Sequence, residues 1–236
     1  MRWTKLGLRP FFWALFVLAA AATLAAAQSP PAPAARFVVV LDAAHGGDDS
    51  GGKLSTGQSE KAFNLALAVR LRSLLGARGI QVVTTRESDA AVELDRRAEI
   101  ANHANAQACL TLHASESGSG VHLFSSSLVP TEPARFAAWK TAQSAYVTRS
   151  LALAGELNSA LLHAGFNVTL GRTDLPGIDS MTCPAVAVEI APDHGPGQKI
   201  NAALDDPAYQ ARVAEALAAA LLEWRSDAGR TEAGRP

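Results

Sequence analysis

Two histidines and a glutamate each come shortly after a short apolar run. His45 follows VVVL at residues 38–41, His113 follows CLTL at 109–112, and Glu189 follows AVAV at 185–188. Such runs are typical of strands that are buried on both faces. Ligands of open α/β sheets bind at the carboxyl ends of the strands, so we expect these side chains at one sheet edge. Two imidazoles and a carboxylate would suit Zn²⁺ there, although their spacing does not establish that they meet.

The rest of the sequence alternates strand-like and helix-like segments, as in a sheet that is covered by helices. Apolar residues at helical spacing predict a first helix over residues 60–77, with a buried stripe of Phe63, Leu67, Leu71, Leu74 and Leu75. Further helices are predicted over 94–105, 131–163 and 207–224, and strands over 80–86, 108–115, 120–126 and 183–191. We therefore predict a single α/β domain whose mostly parallel, twisted sheet has helices on both faces.

The N-terminal residues have the composition of a targeting segment and a linker. Three basic residues precede a stretch of apolar and small residues at 11–27, a pattern that predicts a signal peptide over residues 1–27. The alternative is an uncleaved membrane anchor, but the stretch is slightly short for a bilayer span. Residues 28–35 (QSPPAPAA) predict a stiff linker, 36–226 a catalytic domain and 227–236 a disordered tail. We expect an exported protein of the periplasm or cell envelope, without membrane attachment after cleavage.

The charge of the chain excludes two classes of partner. The formal net charge is −1, and removal of the predicted signal peptide, which has three basic and no acidic residues, makes it −4. A mildly acidic chain without basic runs offers no surface for nucleic acid and no polybasic contact with anionic lipid. The roughly 200 residues after the linker are enough for one α/β domain with a substantial core.

Six short motifs resemble those of the zinc-dependent N-acetylmuramoyl-L-alanine amidases of bacterial cell walls (amidase type 3). In chain order they are VVLDAAHGG at 39–47, GQSEK at 57–61, TRESD at 85–89, LDRRAEIAN at 94–102, LTLHAS at 110–115 and PAVAVEIA at 184–191. Each motif is short and weak by itself. Their common order along almost the whole chain is specific, and the sequence is therefore identified as similar to this family.

The resemblance implies that zinc is held by His45, Glu60 and His113, and that Glu189 is the general acid/base. Glu60 thereby replaces Glu189 in the ligand set suggested by the strand ends. In this family a zinc-bound water molecule attacks the amide bond between N-acetylmuramic acid and L-alanine in peptidoglycan. Glu60 opens the first predicted helix, where the helix dipole favours a carboxylate even without a metal. Its role as a ligand therefore rests on the resemblance.

The sequence departs from the family pattern in three places. Ala43 and Ala44 stand where Pro-Gly is common, Ser115 where Asn is common, and residues 191–198 (APDHGPGQ) where Gly-Phe-Leu-Ser-Asn is usual. No implied ligand is lost, so these changes bear on substrate preference. Two alternatives stay open: a zinc peptidase that acts on stem peptides, and a catalytically inactive wall-binding relative. A protein activator also stays open as a partner besides peptidoglycan.

The two cysteines precede the predicted strand ends at His113 and Glu189. Cys109 is four residues before His113, and Cys183 is six residues before Glu189. A disulfide bond requires the two residues to lie close together, and these unequal offsets leave the register uncertain. We expect two reduced, buried thiols.

Four further histidines and one segment have no firm role in the sequence. His103, His122 and His163 belong to none of the motifs, and we expect none of them to act in catalysis. His194 either faces the substrate groove or is a solvated loop residue. The segment 130–149 is predicted to pack in the core at helical spacing, with a lid over the active site as the alternative.

Overall fold

The computed structural model describes residues 36–132, 138–195, 197 and 199–233. Residues from Arg36 onward form one compact unit. The predicted signal peptide and linker lie outside the described residues. Within the described ranges, none of the helices combines the length and the apolar character that crossing a bilayer requires.

Strands and helices alternate along the described part of the chain, as the sequence predicts. The strands are β1 (Val38–Ala43), β2 (Gln81–Thr84), β3 (Ala108–Ala114), β4 (Val121–Ser126), β5 (Val168–Thr173), β6 (Ala185–Ile190), β7 (Asp193–His194) and β8 (Ile200–Ala202). The α-helices are α1 (Glu60–Gly76), α2 (Leu94–His103), α3 (Val147–His163) and α4 (Pro207–Ala233). Two 3₁₀ helices span Trp139–Ala145 and Ile178–Ser180.

Six of the strands form one sheet, in the order β2-β1-β3-β6-β4-β5. Strands β2, β1, β3 and β6 run parallel to one another, β4 is antiparallel to β6, and β5 is parallel to β4. The predicted fold class, a mostly parallel α/β sheet with helices on both faces, is confirmed. Because β4 runs in the opposite direction, its first residues lie beside the last residues of β6.

One face of the sheet carries the larger part of the core. Helices α1, α3 and α4 cover this face, and four members of the predicted stripe on α1 are at most 4% exposed: Phe63, Leu67, Leu71 and Leu75. Apolar side chains from alternate positions of the strands, such as Leu41, Leu112 and Val188, complete the cluster. Together with a smaller apolar cluster on the opposite face, this layer explains why the strands read as unbroken apolar runs.

The opposite face has a thinner cover and becomes polar towards one edge. Helix α2 and the 3₁₀ helix Ile178–Ser180 pack there on small residues such as Ala185 and Ala187. Side chains alternate between the faces of a strand, so His113 and Glu189 project from this second face, beyond the apolar cluster. Their Cα atoms are paired across the β3–β6 ladder. The thin cover therefore leaves the carboxyl edge of the sheet accessible from one side.

The structure corrects several predicted element boundaries. The prediction of helix over residues 131–163 is only partly correct: residues 131 and 132 are not helical, 133–137 lie outside the described residues, and a 3₁₀ helix precedes α3. Helix α4 continues to Ala233, past the predicted end at 224 and into the predicted tail. The edge strand β5 was not predicted, because most of its side chains are exposed and it lacks an apolar run.

The prediction of two reduced thiols is wrong, because Cys109 and Cys183 form a disulfide bond. Their Cα atoms are 6.3 Å apart, within the range that a disulfide spans. Cys183 precedes the first paired residue of β6, and the Cys109 N–H donates to the Pro184 carbonyl beside it. The unequal offsets of the two cysteines did not predict the bond, because Cys183 lies before the β3–β6 ladder, where strand register does not fix its position.

We expect the disulfide bond to contribute substantially to stability. Closing a loop with a sequence separation of 74 residues predicts a stabilisation of about 4 kcal/mol in the chain-entropy model. For a domain of this size, that corresponds to a fall in Tm of about 8–16 °C when the bond is broken. Differential scanning calorimetry of a Cys109→Ala/Cys183→Ala variant, with chemically reduced wild type as the control, measures this effect. Rapid alkylation of both cysteines in the native, unreduced protein would contradict the assignment.

Candidate metal centre

The carboxylate of Glu60 lies between the rings of His45 and His113. Its Oε1 is 3.2 Å from Nε2 of His45 and 2.9 Å from Nδ1 of His113. One potential ligand atom from each residue lies within 4.8 Å of the others, and among the described residues this is the one group of three such side chains. The structure thus brings together the three residues implied by the family resemblance, although the chain separates them by up to 68 positions.

The surroundings of Glu60 keep it ionised. It is the first residue of α1 and is only 6% exposed. Burial raises its pKa, but the hydrogen bonds with His113 and from the Gly52 N–H outweigh this effect and lower the pKa to about 2. The N–H of Gly52 donates to Oε2 over 2.8 Å. Glu60 is therefore a carboxylate at neutral pH, which is the form that binds metal ions.

The ring of His45 is oriented by Asp49 from the side opposite Glu60. Nδ1 of His45 is 2.7 Å from Oδ2 of Asp49, and the hydrogen bond with His45 is the main cause that lowers the pKa of Asp49. An ionised carboxylate can only accept a hydrogen bond, so Nδ1 of His45 carries a proton, and Nε2 is the nitrogen that faces Glu60. Metal-binding histidines are commonly oriented by a carboxylate in this way.

The loop after β1 encloses the cluster because its glycines let the loop backbone lie close to the side chains of the cluster. His45 itself has φ of 63°, in the left-handed region that non-glycine residues seldom adopt. Gly51 has φ of 62°, and a Cβ there would lie 2.6 Å from both Oε2 of Glu60 and Cδ2 of His45. A side chain at position 51 would therefore occupy the space beside both residues.

Two buried arginines hold the backbone that carries His45. Arg97 forms an ion pair of 2.6 Å with Asp42 and donates to the carbonyl oxygens of residues 43 and 45. Arg86 donates to the carbonyl oxygens of residues 43, 44 and 61. These contacts link the end of β1 to the start of α1, and so position His45 relative to Glu60. Both arginines therefore order the scaffold of the site.

Lys61 and Asp89 fix the glycine loop from its outer side. The ammonium group of Lys61 donates to the Gly47 carbonyl over 2.6 Å and to Asp89 over 2.7 Å. Asp89 in turn accepts the Gly47 N–H over 2.8 Å. The TRESD and GQSEK motifs therefore share one structural role, because together they clamp the loop that begins at His45.

Glu189 lies beside the cluster rather than in it. It is paired with His113 across the β3–β6 ladder, and its side chain is about one-third exposed. Its Oε1 is 3.0 Å from Nδ1 of His122, at the start of β4. The ligand set of His45, His113 and Glu189 suggested by the strand ends is thus not the one the geometry assembles. Sequence reasoning also missed His122, since only the antiparallel pairing of β4 with β6 brings it to Glu189.

A cavity of about 580 Å³ opens next to His45 and His113. Its size is typical of pockets that bind small ligands. Four acidic residues line part of the cavity, namely Asp42, Asp48, Asp49 and Glu93. The cluster therefore has direct access to a space in which a substrate could bind.

The other candidates from the sequence lie away from the cluster. His103 and His163 are exposed at the ends of α2 and α3. His194 is partly buried against the neighbouring loop, where its N–H donates to Ser119 and its Nδ1 is 3.1 Å from the Gly118 carbonyl oxygen. No contact places any of these three histidines in the metal cluster within the described ranges.

The described part of the segment 130–149 is attached at the far end of β6. The amide of Gln143 donates to the carbonyl oxygens of Met181 and Cys183, which precede β6, whereas Glu189 is near the end of that strand. Residues 138–149 therefore belong to the scaffold at the opposite sheet edge, which counts against a lid built from them. Residues 133–137 lie outside the described part of the chain.

Fold and site together define an α/β protein with a candidate metal centre at the carboxyl edge of its sheet. Comparison with known proteins narrows this class. The family model described as N-acetylmuramoyl-L-alanine amidase matches residues 39–223. The chain belongs to this amidase family, as its motifs predicted.

Individual relatives carry the same name. The chain is 30% identical over 146 residues to the N-acetylmuramoyl-L-alanine amidase Rv3717 of Mycobacterium tuberculosis, a match that covers 60% of this chain and 59% of the relative. The catalytic domain of the amidase CwlV from Bacillus (Paenibacillus) polymyxa superposes with a TM-score of 0.63 at 26% identity, over 80% of this chain and 98% of CwlV. The amidase Ami1 of Mycobacterium smegmatis shares the fold, with a TM-score of 0.64 at 22% identity over 81% and 97% of the two chains.

We expect purified protein to bind about one zinc ion per chain, and His113→Ala to lose it. The substitution removes one of the two nitrogen donors and leaves Glu60 without its hydrogen bond from the ring. Elemental analysis after dialysis at low free zinc measures the stoichiometry, and His163→Ala, at an exposed helix end, is the matched control. Stoichiometric zinc in His113→Ala would exclude this ligand set. Circular dichroism should show that the fold persists, because the larger part of the apolar core lies on the other sheet face.

A second expectation concerns Asp49, which touches the candidate ligand His45 but is not itself in the cluster. Asp49→Asn replaces the carboxylate by an isosteric amide that no longer favours the Nδ1-protonated ring. Zinc affinity, measured by competition with a chromophoric chelator, should fall about 10- to 100-fold. Unchanged affinity in Asp49→Asn would show that Asp49 does not orient a ligand. Asp48→Asn, next to it in the chain, is the control.

Proposed function

We propose that this chain is an exported, zinc-dependent N-acetylmuramoyl-L-alanine amidase, which cuts the amide bond between N-acetylmuramic acid and L-alanine in peptidoglycan. The observation that carries the proposal is the position of Glu60 between His45 and His113, with Glu189 paired to His113 on the next strand. Membership of the amidase family supports the choice of bond. The similarity to the catalytic domain of CwlV supports the same activity.

The donor set fits zinc. Zn²⁺ prefers nitrogen and oxygen donors, and catalytic zinc sites commonly use three protein ligands. In our proposal His45 binds through Nε2, because Asp49 occupies its Nδ1, and His113 and Glu60 complete the set. Zinc held there would polarise the amide carbonyl and make a water molecule acidic near neutral pH.

Glu189 is proposed as the general acid/base. Its carboxylate accepts the proton of the attacking water molecule and then delivers it to the leaving nitrogen of L-alanine, since an amine leaves poorly as an anion. The carbon–nitrogen bond breaks and a carbon–oxygen bond forms. The products are a free lactyl carboxylate on the glycan strand and a stem peptide with a free amino terminus. Partial exposure of the Glu189 side chain supports access of substrate to it.

An oxidising compartment is proposed as the place of action. A buried disulfide bond is typical of exported proteins and rare in the cytosol, so Cys109 and Cys183 support the expected signal peptide. Peptidoglycan is the proposed substrate in the periplasm or cell envelope. The structural neighbour CwlD of Clostridioides difficile was solved in complex with the GerS lipoprotein, which supports a protein partner, and an activator is the class of partner that we propose.

The proposal predicts the products and the effect of one substitution. Zinc-loaded protein from residue 28 onward should release peptides with a free L-alanine amino terminus from purified peptidoglycan, and leave the glycan chains uncut. Glu189→Gln should keep its zinc and its fold but lose about 10²- to 10⁴-fold in turnover, because an amide cannot relay the proton. Liquid chromatography with mass spectrometry of the soluble fragments measures both effects. Glu156→Gln, on α3, is the control.

Other reaction products would indicate a different function. Cuts within the stem peptide would identify a zinc peptidase, and new muramyl reducing ends would identify a glycosidase. Tight binding to the wall without any product, on several walls and with added envelope extract, would identify an inactive relative. Full turnover by Glu189→Gln would contradict its assignment as the acid/base and leave the amidase reaction itself intact.

A further inference from the structure

His122 is the one side chain that hydrogen-bonds Glu189 within residues 36–132, 138–195 and 199–233. The two residues face each other across the antiparallel β4–β6 ladder, and Nδ1 of His122 is 3.0 Å from Oε1 of Glu189. The imidazole is 15% exposed, whereas the carboxylate is 33% exposed. The ring is therefore the more deeply placed partner, and the carboxylate is the one that reaches the solvent.

The surroundings of His122 restrict its ring to this orientation. Gly118 lies against the ring, and a Cβ at that position would be 2.3 Å from Cε1 and 2.7 Å from Nε2. On the other side, the ring of Phe124 meets His122 edge to face, with centroids 6.4 Å apart. The space that Gly118 leaves open is thus filled by the imidazole. Strand β4 and the preceding turn together aim the Nδ1 side of the ring at Glu189.

The hydrogen bond acts on only one of the two carboxylate oxygens. An ionised carboxylate can only accept hydrogen bonds, so Nδ1 carries the proton and donates a hydrogen bond to Oε1. Oε2 has no hydrogen-bond partner among the described residues. A carboxylate held by one oxygen cannot rotate freely, and the free oxygen keeps a defined position. This is what a general base needs, because proton transfer depends on the distance and direction of the accepting atom.

We propose that His122 is a positioning residue: through its Nδ1–H it holds Oε1 of Glu189 so that Oε2 is oriented for proton transfer. His122 itself neither touches substrate nor belongs to the metal cluster. The proposal rests on the function proposed above for Glu189. It assigns a role to a residue that none of the sequence motifs contains.

Two substitutions distinguish the effect of the hydrogen bond on activity from the effect of the packing of the ring. His122→Leu fills a similar volume but has no donor. His122→Asn carries an amide N–H close to where Nδ1 lies in histidine. If His122 positions Glu189, His122→Leu should lower kcat about 10- to 100-fold with little change in KM, since the contact matters most in the transition state. His122→Asn should recover most of that loss. His163→Leu, at the exposed end of α3, is the matched control and should match the wild type.

A measurement without turnover tests the same hydrogen bond. Nitrogen-15 NMR of the imidazole rings should show His122 protonated at Nδ1 in the wild type, with a resonance that shifts in Glu189→Gln. Protonation at Nε2 alone would overturn the proposal even if the protein were inactive on every wall tested. Zinc content should stay at the wild-type value in His122→Leu, which distinguishes an effect on Glu189 from an effect on the metal cluster.

The kinetic measurements test the positioning role of His122 and, separately, the proposed amidase activity. A wild-type kcat in His122→Leu would overturn the positioning role. Equal falls of kcat in the leucine and asparagine variants would also overturn it. A rise in KM without a fall in kcat would do the same, because it would mean that His122 contributes to substrate binding. A wild type that releases no peptide would instead count against the amidase proposal, and the NMR result would then decide the role of His122 independently.

Discussion

The buried ion pair between Arg97 and Asp42 is the constraint on which the candidate metal centre depends. Both side chains are about 95% buried, so neither charge is tolerated unless the other is present. The remaining N–H groups of Arg97 need acceptors as well, and they find them in the carbonyl oxygens of residues 43, 45 and 92. The backbone at His45 is thus held by the need to satisfy a buried cation. Arg86 extends the same arrangement to the start of α1, which places Glu60 opposite His45.

This arrangement explains why the family motifs contain so many residues that are neither candidate metal ligands nor the proposed acid/base. Lys61, Asp89 and Arg97 lie up to 36 positions apart in the chain, yet each is bonded to the loop that follows β1. A left-handed His45 and tightly packed glycines are unfavourable conformations for an isolated chain. Hydrogen bonds from several directions compensate for that cost. The motifs therefore describe a clamp around one loop, and the candidate ligands are only a part of it.

Sequence patterns predicted the fold well where burial leaves a local pattern. The stripe on α1 follows from its spacing, because a buried helix face repeats at a fixed interval, and strands β1, β3 and β6 follow from their unbroken apolar runs. Strand β5 shows no such pattern, since it lies at the exposed edge of the sheet. The pairing of Cys109 with Cys183 and of His122 with Glu189 depends on which strands are neighbours. That information is not local, and no spacing along the chain contains it.

The order of the strands divides the site into two halves. His45, Glu60 and His113 come from β1, α1 and β3, whereas Glu189 and His122 come from β6 and β4. The halves meet along the ladder between β3 and β6. If the proposed roles hold, ion binding and proton transfer are encoded in separate stretches of sequence, and substitutions can alter one without the other. On that proposal, a relative that keeps the first half but changes His122 in β4 would retain its metal and react more slowly, so metal content alone does not identify a fully active member of this family.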